Sequence, residues 1–82
     1  MSTIIRFFEL GITTELGLFL VEYGFPTDTI RILERRYPVI GKMGAIEAVN
    51  FLTNNPKIIY NIMDKYEQEL YKRAVQALVR RK

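Results

Sequence analysis

Apolar residues recur along most of this chain three and four positions apart, which is the spacing of an amphipathic α-helix. Near the start, Ile4, Phe7 and Phe8 follow this spacing and predict a short first helix that ends at Gly11. Ile4 and Ile5 can also open a strand. Every segment with a clear period has the helical one, so helices dominate the predicted structure.

A second helix is predicted between Thr14 and Gly24. Thr13 or Thr14 can cap its first turn, and Gly24 stands where a glycine commonly ends a helix. Its apolar residues surround most of the helix, so we expect it to lie centrally in the core or to be partly covered by another chain. These residues are Leu16, Leu18, Phe19, Leu20, Val21 and Tyr23.

Two prolines bracket a third predicted helix. Phe25 and Pro26 form the turn before it, and we expect Thr27 to be its N-cap. Pro38 stops the helix, because the residue before a proline is steered out of the helical region. Residues 38–42 then form a connector that packs under the helices.

The rest of the chain predicts a short fourth helix over 45–52 and a long fifth one. Asn54, Asn55 and Pro56 give the strongest turn signal, and proline suits the first position of a helix. An apolar stripe continues from there, so we expect one continuous helix over 56–82. At 1.5 Å per residue it spans about 40 Å, against a diameter of roughly 25 Å for such a domain. One end should therefore project.

These elements predict an all-α fold in a single domain that covers residues 1–82. We expect four to five helices, arranged as two helical hairpins over roughly 13–37 and 44–70, with the long C-terminal helix packed across them. The chain has 82 residues, 49% of them hydrophobic and 26% charged, which is typical of a globular protein with one small core.

The composition also excludes several kinds of protein. Without cysteine there is neither a disulfide framework nor a thiolate metal site, which favours a reducing compartment, and we expect a cytoplasmic protein. The uncharged stretches are much shorter than the ~18–20 residues of a membrane-spanning helix. The start lacks the apolar region of a secretion signal, and we expect no membrane partner.

The side chains that most often carry catalysis are missing. There is no His or Cys, and Ser2 is the single serine. No glycine-rich phosphate loop is present. The nine Asp and Glu residues are dispersed, mostly opposite the apolar stripes, and we interpret Asp64, Glu67 and Glu69 as solvent-exposed partners of nearby cations. We therefore expect no enzyme, no metal site and no cofactor.

Positive charge is concentrated near the end of the chain. Residues 1–55 have a formal charge of −1 and residues 56–82 of +4, and no acidic residue follows Lys72. These cations can complement the helix dipole and keep the protein soluble, or they can neutralise about 3–5 phosphates of a nucleic acid. The glutamates and the lack of Trp argue against a membrane-surface helix. Tyrosines at 60, 66 and 71 fit base stacking, a core edge or a dimer seam.

The run FLVEYGFPTDTIRILERRYP, residues 19–38, resembles a degenerate helix-hairpin-helix element. Many DNA repair, helicase and nuclease proteins use this module to hold the phosphate backbone through a tight turn of glycine, apolar residue and glycine. The matching residues are Gly24, Phe25, Ile30 and Leu33. Pro26, which has no N–H, replaces the second glycine, and Asp28 lies nearby. The resemblance implies phosphate binding by backbone N–H groups at the turn and at the start of the second helix.

Our favoured hypothesis is a non-catalytic module that binds the backbone of DNA or RNA, oriented by a hairpin turn of Gly24, Phe25, Pro26 and Thr27. The rival is a protein-interaction or assembly module, such as a helical homodimer, that uses the apolar helix 14–23 or the last helix. The first hypothesis depends on a continuous, positively tipped helix over 56–82. Its predicted contacts are Arg31, Arg35, Arg36, Lys72, Arg73, Arg80, Arg81 and Lys82.

Overall fold

The computed structural model describes residues 11–80, which contain five α-helices, one 3-10 helix and no strand. In chain order the elements are α1 (Glu15–Glu22), α2 (Thr27–Arg36), the 3-10 helix (Pro38–Lys42), α3 (Ala45–Thr53), α4 (Pro56–Ile62) and α5 (Lys65–Arg80). The predicted all-α class is confirmed. The first predicted helix, which precedes Gly11, lies outside the described residues.

Both ends of α1 lie where the sequence predicts them. Thr14 is the N-cap, and its Oγ1 accepts a hydrogen bond from Gly17 N at 2.8 Å. At the other end Gly24 adopts a φ of 97°, and the N–H groups of Gly24 and Phe25 donate to carbonyls of the last turn at 3.0 and 2.9 Å. This is a Schellman motif, with Leu20 and Phe25 as its buried apolar pair.

The start of α2 differs from the prediction, and its end does not. Pro26 occupies the cap position, Thr27 is the first helical residue, and no side chain caps the helix, so the predicted N-cap at Thr27 is wrong. Pro26 has a φ of −58°, which already suits a helix start, and its carbonyl accepts from Ile30 N at 3.4 Å. Before Pro38, Tyr37 leaves the helical region with φ −131° and ψ 67°.

The connector and α3 place small and branched side chains in the core. Ile40 of the 3-10 helix is buried whereas Val39 is exposed, so only half of this pair packs under the helices. Ala45 and Ala48 are buried in α3, as predicted. Since α1 packs against α3, these short side chains allow the two helices to approach closely.

The predicted continuous helix over 56–82 is wrong, because the chain leaves the helix at Met63 and Asp64. Met63 ends α4 in an extended conformation, with φ −107° and ψ 136°. Asp64 Oδ1 accepts from Glu67 N at 2.8 Å, and Glu67 Oε1 accepts from Asp64 N at 3.0 Å. This reciprocal capping box satisfies the first free N–H groups of α5 and so starts a new helix inside the apolar stripe.

The break shortens the C-terminal helix and removes the basis for a projecting rod. The sixteen residues of α5 span about 24 Å, less than the 35 Å longest dimension of the molecule. α5 packs against α1 and α3, with Tyr71, Ala74 and Leu78 buried on its inner side. The outer side of α5 is therefore left to solvent along the body of the molecule.

The centre of the core comes from the first four elements. The largest side chains that are almost completely buried belong to α1, α2, the 3-10 helix and α3, so α4 and α5 close a core that these elements build. They are Leu16, Leu20, Ile30, Leu33, Ile40 and Leu52.

Candidate nucleic-acid interface

The outer face of α5 carries most of the positive charge in the second half of the structure. Helical residues three, four and seven positions apart share a face, and one such set runs the length of α5. All of its side chains are exposed. They are Lys65, Glu69, Lys72, Arg73, Gln76 and Arg80, which gives four cations against one carboxylate. We call this set the cationic face of α5.

Little of this charge is neutralised within the protein. Lys72 Nζ lies 3.5 Å from Glu69 Oε2, and the two side chains are 69% and 62% exposed. A surface pair of this kind contributes roughly 0–1 kcal/mol, so it competes weakly with an external anion. Arg73 and Arg80 form no ion pair with the other residues of the range 11–80. The remaining predicted contacts, Arg81 and Lys82, lie outside the described residues.

A second group of predicted contacts lies on α2. Arg35 and Arg36 are exposed. Arg31 is partly buried, and its Nη1 lies 3.0 Å from Asp28 Oδ1 in the first turn of the same helix. One of the three predicted α2 contacts is therefore already held by a carboxylate.

The predicted cations lie on two helices, α2 and α5, and those of α5 run along the helix instead of being confined to a projecting tip. The two helices are joined where Thr29 Oγ1 donates a hydrogen bond to Glu67 Oε2. Along the axis of α5, Glu67 is about 8 Å from Lys72 and about 20 Å from Arg80. The contact with α2 therefore lies near the beginning of α5, and the cationic face continues well beyond it.

The hairpin turn after α1 has few backbone donors left for a phosphate. The N–H groups of Gly24 and Phe25 are used by the Schellman motif, and Pro26 has none. Thr27 opens α2, where the helix dipole favours an anion, but the carboxylate of Asp28 already lies in this first turn. The turn fixes the angle between α1 and α2, and its local charge is unfavourable to phosphate.

Glu34 is a buried carboxylate that the sequence pattern did not indicate. Its Oε1 accepts from Thr13 N at 3.0 Å and Thr13 Oγ1 at 3.1 Å, while Oε2 accepts from Thr14 N at 3.1 Å and Thr14 Oγ1 at 2.6 Å. The interpretation of the dispersed carboxylates as solvent-facing is thus wrong for Glu34. Its partners are 20 and 21 residues away, so no local spacing could have found them.

Two further carboxylates support helix starts. Glu15 Oε1 of α1 accepts from Ala45 N at 3.0 Å and so caps α3, whose own cap residue is Gly44 and offers no side chain. Glu67 is partly buried between α2 and α5. The interpretation of Glu67 as a solvent-exposed partner of lysines is therefore also wrong, and its position three residues after Asp64 was the available signal.

The three tyrosines considered for base stacking have different environments. Tyr60 and Tyr66 are 65% and 71% exposed, so both rings are accessible. Tyr71 is only 8% exposed, and its hydroxyl has no hydrogen-bond partner. Burial raises the pKa of Tyr71 to about 12. Tyr71 is a core residue and is not available to stack on a base.

The described residues show neither a metal centre nor a membrane span. Within the range 11–80 no three carboxylates converge in a way that could hold a metal ion. Nor does any helix of that range combine the length and the apolar character needed to cross a bilayer. Comparison with protein-family models, curated proteins and solved structures gives no match. The resemblance to helix-hairpin-helix elements stays a prediction.

Proposed function

We propose that this protein is a non-catalytic module that binds the phosphate backbone of a nucleic acid through the cationic face of α5. The break at Met63 and Asp64 rules out the continuous helix on which the sequence-based hypothesis depended, and the proposal relies instead on the exposed face of the shorter helix. The observation that carries this proposal is the set of four exposed cations against one carboxylate on a helix of sixteen residues. Attraction between such a face and phosphate does not depend on the base, so we expect binding without sequence preference.

Arg73 and Arg80 are the central contacts in this proposal. They are seven residues apart on one face, or about 10 Å along the axis, and a free guanidinium can hold a phosphate with two parallel hydrogen bonds. Lys65 and Lys72 precede Arg73 on the same face. If about 3–5 phosphates are neutralised, affinity for duplex DNA should fall roughly 40- to 500-fold between 50 and 200 mM salt.

The other predicted contacts have a smaller part. Arg35 and Arg36 can add a second point of contact from α2, whereas Arg31 is held by Asp28. The hairpin turn positions α2, and the proposal assigns no phosphate to its backbone. Tyr66, which is exposed on α5, supplies a ring for stacking, so a single strand should bind at least as well as a duplex.

Fluorescence anisotropy with a labelled generic duplex and a labelled single strand, each at low and at moderate salt, tests this proposal. The double variant Arg73→Gln/Arg80→Gln should bind at least tenfold more weakly and show a salt slope shallower by about two. The matched control is Arg35→Gln/Arg36→Gln, which removes the same charge from α2. Equal losses in both variants would indicate general charge attraction, and no binding at low salt would remove the proposal altogether.

Self-association is a second candidate, favoured by exposed apolar side chains around the helix break. Tyr60 and Tyr66 lie on either side of the break, and Val79 is exposed farther along α5. The apolar helix α1 is a poor choice for this surface, because Leu16 and Leu20 are buried in the protein's own core. Light scattering should give a dimer mass for the native chain and a monomer mass for Tyr60→Ser/Tyr66→Ser. A monomeric native protein excludes this candidate.

A further inference from the structure

A cavity of about 230 Å³ lies between α3, α4 and α5. Part of its wall is apolar and aromatic, as in many small-molecule sites. The side chains that form this part of the wall are Leu52, Pro56, Ile59, Tyr60 and Tyr71. The polar groups on the remaining wall determine which ligand the cavity suits.

Tyr71 lines this cavity, and its buried hydroxyl distinguishes the cavity from an ordinary surface depression. It is the one buried side-chain polar atom without a hydrogen-bond partner among residues 11–80. Buried hydroxyls in folded proteins nearly always have a partner, and a phenol without one is a donor in need of an acceptor. A ligand that brings an acceptor to this wall would supply the missing hydrogen bond.

The other polar groups of the wall are mostly used within the protein. Thr53 Oγ1 donates to Val49 O at 2.8 Å, and Gln68 Nε2 donates to Met63 O at 3.0 Å, which leaves the Gln68 amide oxygen as an acceptor. Lys72 lines the cavity with a cation whose carboxylate contact, at 3.5 Å, is long and exposed. The polar groups that remain open to a ligand are thus the Tyr71 hydroxyl, the weakly held ammonium group of Lys72, the Gln68 amide oxygen and the hydroxyl of the exposed Tyr60.

We propose that this cavity binds a small aromatic carboxylate, consisting of one ring and a short acid arm. The ring packs against Leu52, Ile59 and Tyr60, and the carboxylate accepts hydrogen bonds from the Tyr71 hydroxyl and the Lys72 ammonium group. An apolar cavity of about 150 Å³ holds benzene, so the larger volume here has room for a ring and a carboxyl group. Because the hydroxyl is covered in the free protein, side chains of the wall shift when the ligand enters.

The proposal rests on complementarity of both shape and charge. A purely apolar ligand would leave the Tyr71 hydroxyl without an acceptor, and a bare anion would leave the apolar wall uncovered. A carboxylate forms charge-assisted hydrogen bonds with both a phenol and an ammonium group, and these are stronger than bonds between neutral groups. A monocarboxylate with one ring satisfies the two requirements together.

Titration of the protein with phenylacetate, followed by NMR shifts of the Leu52 and Ile59 methyl groups, tests the proposal. Saturable shifts should appear with phenylacetate, weaker ones with the neutral phenylacetamide, and none with acetate, which lacks the ring. Equal binding of the acid and the amide would show that the charge is not recognised and would overturn the proposal. If acetate bound as tightly as phenylacetate, the contact would be only that of an anion with Lys72, and this result would also overturn the proposal.

Matched variants separate the cavity from the rest of α5. Tyr71→Phe should weaken phenylacetate binding at least tenfold and leave the amide nearly unaffected, whereas Tyr66→Phe, an exposed tyrosine of the same helix, should change neither. Lys72→Gln should weaken phenylacetate binding more than Lys65→Gln. The second variant removes the same charge two helical turns earlier on the cationic face. Unchanged phenylacetate affinity in Tyr71→Phe overturns the proposal, and because no nucleic acid is involved, this result leaves the function proposed for α5 untouched.

Discussion

Oε2 of Glu34 lies too close to the position of a β-carbon on Gly17 for such an atom to fit without a shift. A methyl group there would also come closer than 3.0 Å to Ile12 Cγ2 and to Thr14 Oγ1. Thr14 Oγ1 in turn donates a hydrogen bond to Glu34 Oε2 and accepts one from Gly17 N. The start of α1, the Glu34 carboxylate and Gly17 therefore pack together. Gly17 is required here for close approach of α2 to the first turn of α1.

We predict that Gly17→Ala destabilises the protein by about 1–3 kcal/mol, because overpacking outweighs the better helix propensity of alanine. Urea denaturation monitored by circular dichroism measures this loss. Gly41→Ala is the matched control, since its added methyl group would meet only Thr14 Cγ2, at 3.9 Å. A Gly17→Ala protein as stable as the native one would contradict the close packing of Glu34 against α1.

We predict that Asp64→Ala lowers the free energy of unfolding by about 0.5–2 kcal/mol, because it removes the N-cap of α5. Asp64→Asn, which retains a capping oxygen, should recover most of the loss. Glu69→Ala serves as the control, since its exposed pair with Lys72 is worth little. Thermal melts of the three variants measure the order of their stabilities, with Asp64→Ala expected to be the least stable. Equal melting temperatures for Asp64→Ala and Glu69→Ala would argue against the capping box.

The pKa of Tyr71 predicts how stability depends on alkaline pH. Burial raises this pKa from 10.0 to about 12 in the folded protein. Below pH 10 both states keep the proton, and between about pH 10 and 12 only the unfolded chain loses it. Stability should therefore fall in that window, by on the order of 2–3 kcal/mol.

Urea denaturation at about pH 9 and about pH 11.5 checks this dependence. Tyr71→Phe should lose much less stability between the two values than the native protein, and Tyr66→Phe, which keeps the buried phenol, should behave like the native protein. Identical pH dependence in Tyr71→Phe and the native protein would show that the phenol is not buried as described.

The limits of α1 and the end of α2 could be predicted because short-range signals fix them. Thr14 caps through its own side chain, Gly24 supplies the left-handed residue of a C-terminal motif, and Pro38 prevents continuation of α2. The predicted start of α2 is wrong by one residue, because Pro26 and Thr27 both suit a helix start and Pro26 occupies the cap position.

The break between α4 and α5 was missed because two signals disagree there. The apolar stripe passes through Met63 without a change of period, and Met63 is indeed buried. The pattern Asp64 to Glu67 marks a helix start, but it looked like ordinary charge pairing among lysines. Periodicity reports which side of the chain is buried, and a capping box decides where the helix begins.

The exposure of Lys72, Arg73 and Arg80 followed from their position opposite the apolar stripe. The position of these cations relative to the arginines of α2 could not be predicted, because it depends on how the two helices pack. The burial of Glu34 and the unpartnered hydroxyl of Tyr71 likewise arise from contacts between distant segments. Sequence periodicity identifies an exposed face, and tertiary packing decides which faces come together.

The two carboxylate oxygens of Glu67 accept hydrogen bonds from different helices or helix ends. Oε1 accepts from Asp64 N, and Oε2 accepts from Thr29 Oγ1 of α2. Fraying of the first turn of α5 therefore also breaks its hydrogen bond to α2, and these two events should occur together. Amide hydrogens near residues 29 and 67 would then exchange with similar rates despite their distance in sequence. A single carboxylate thereby couples the start of α5 to a helix that lies almost forty residues earlier in the chain.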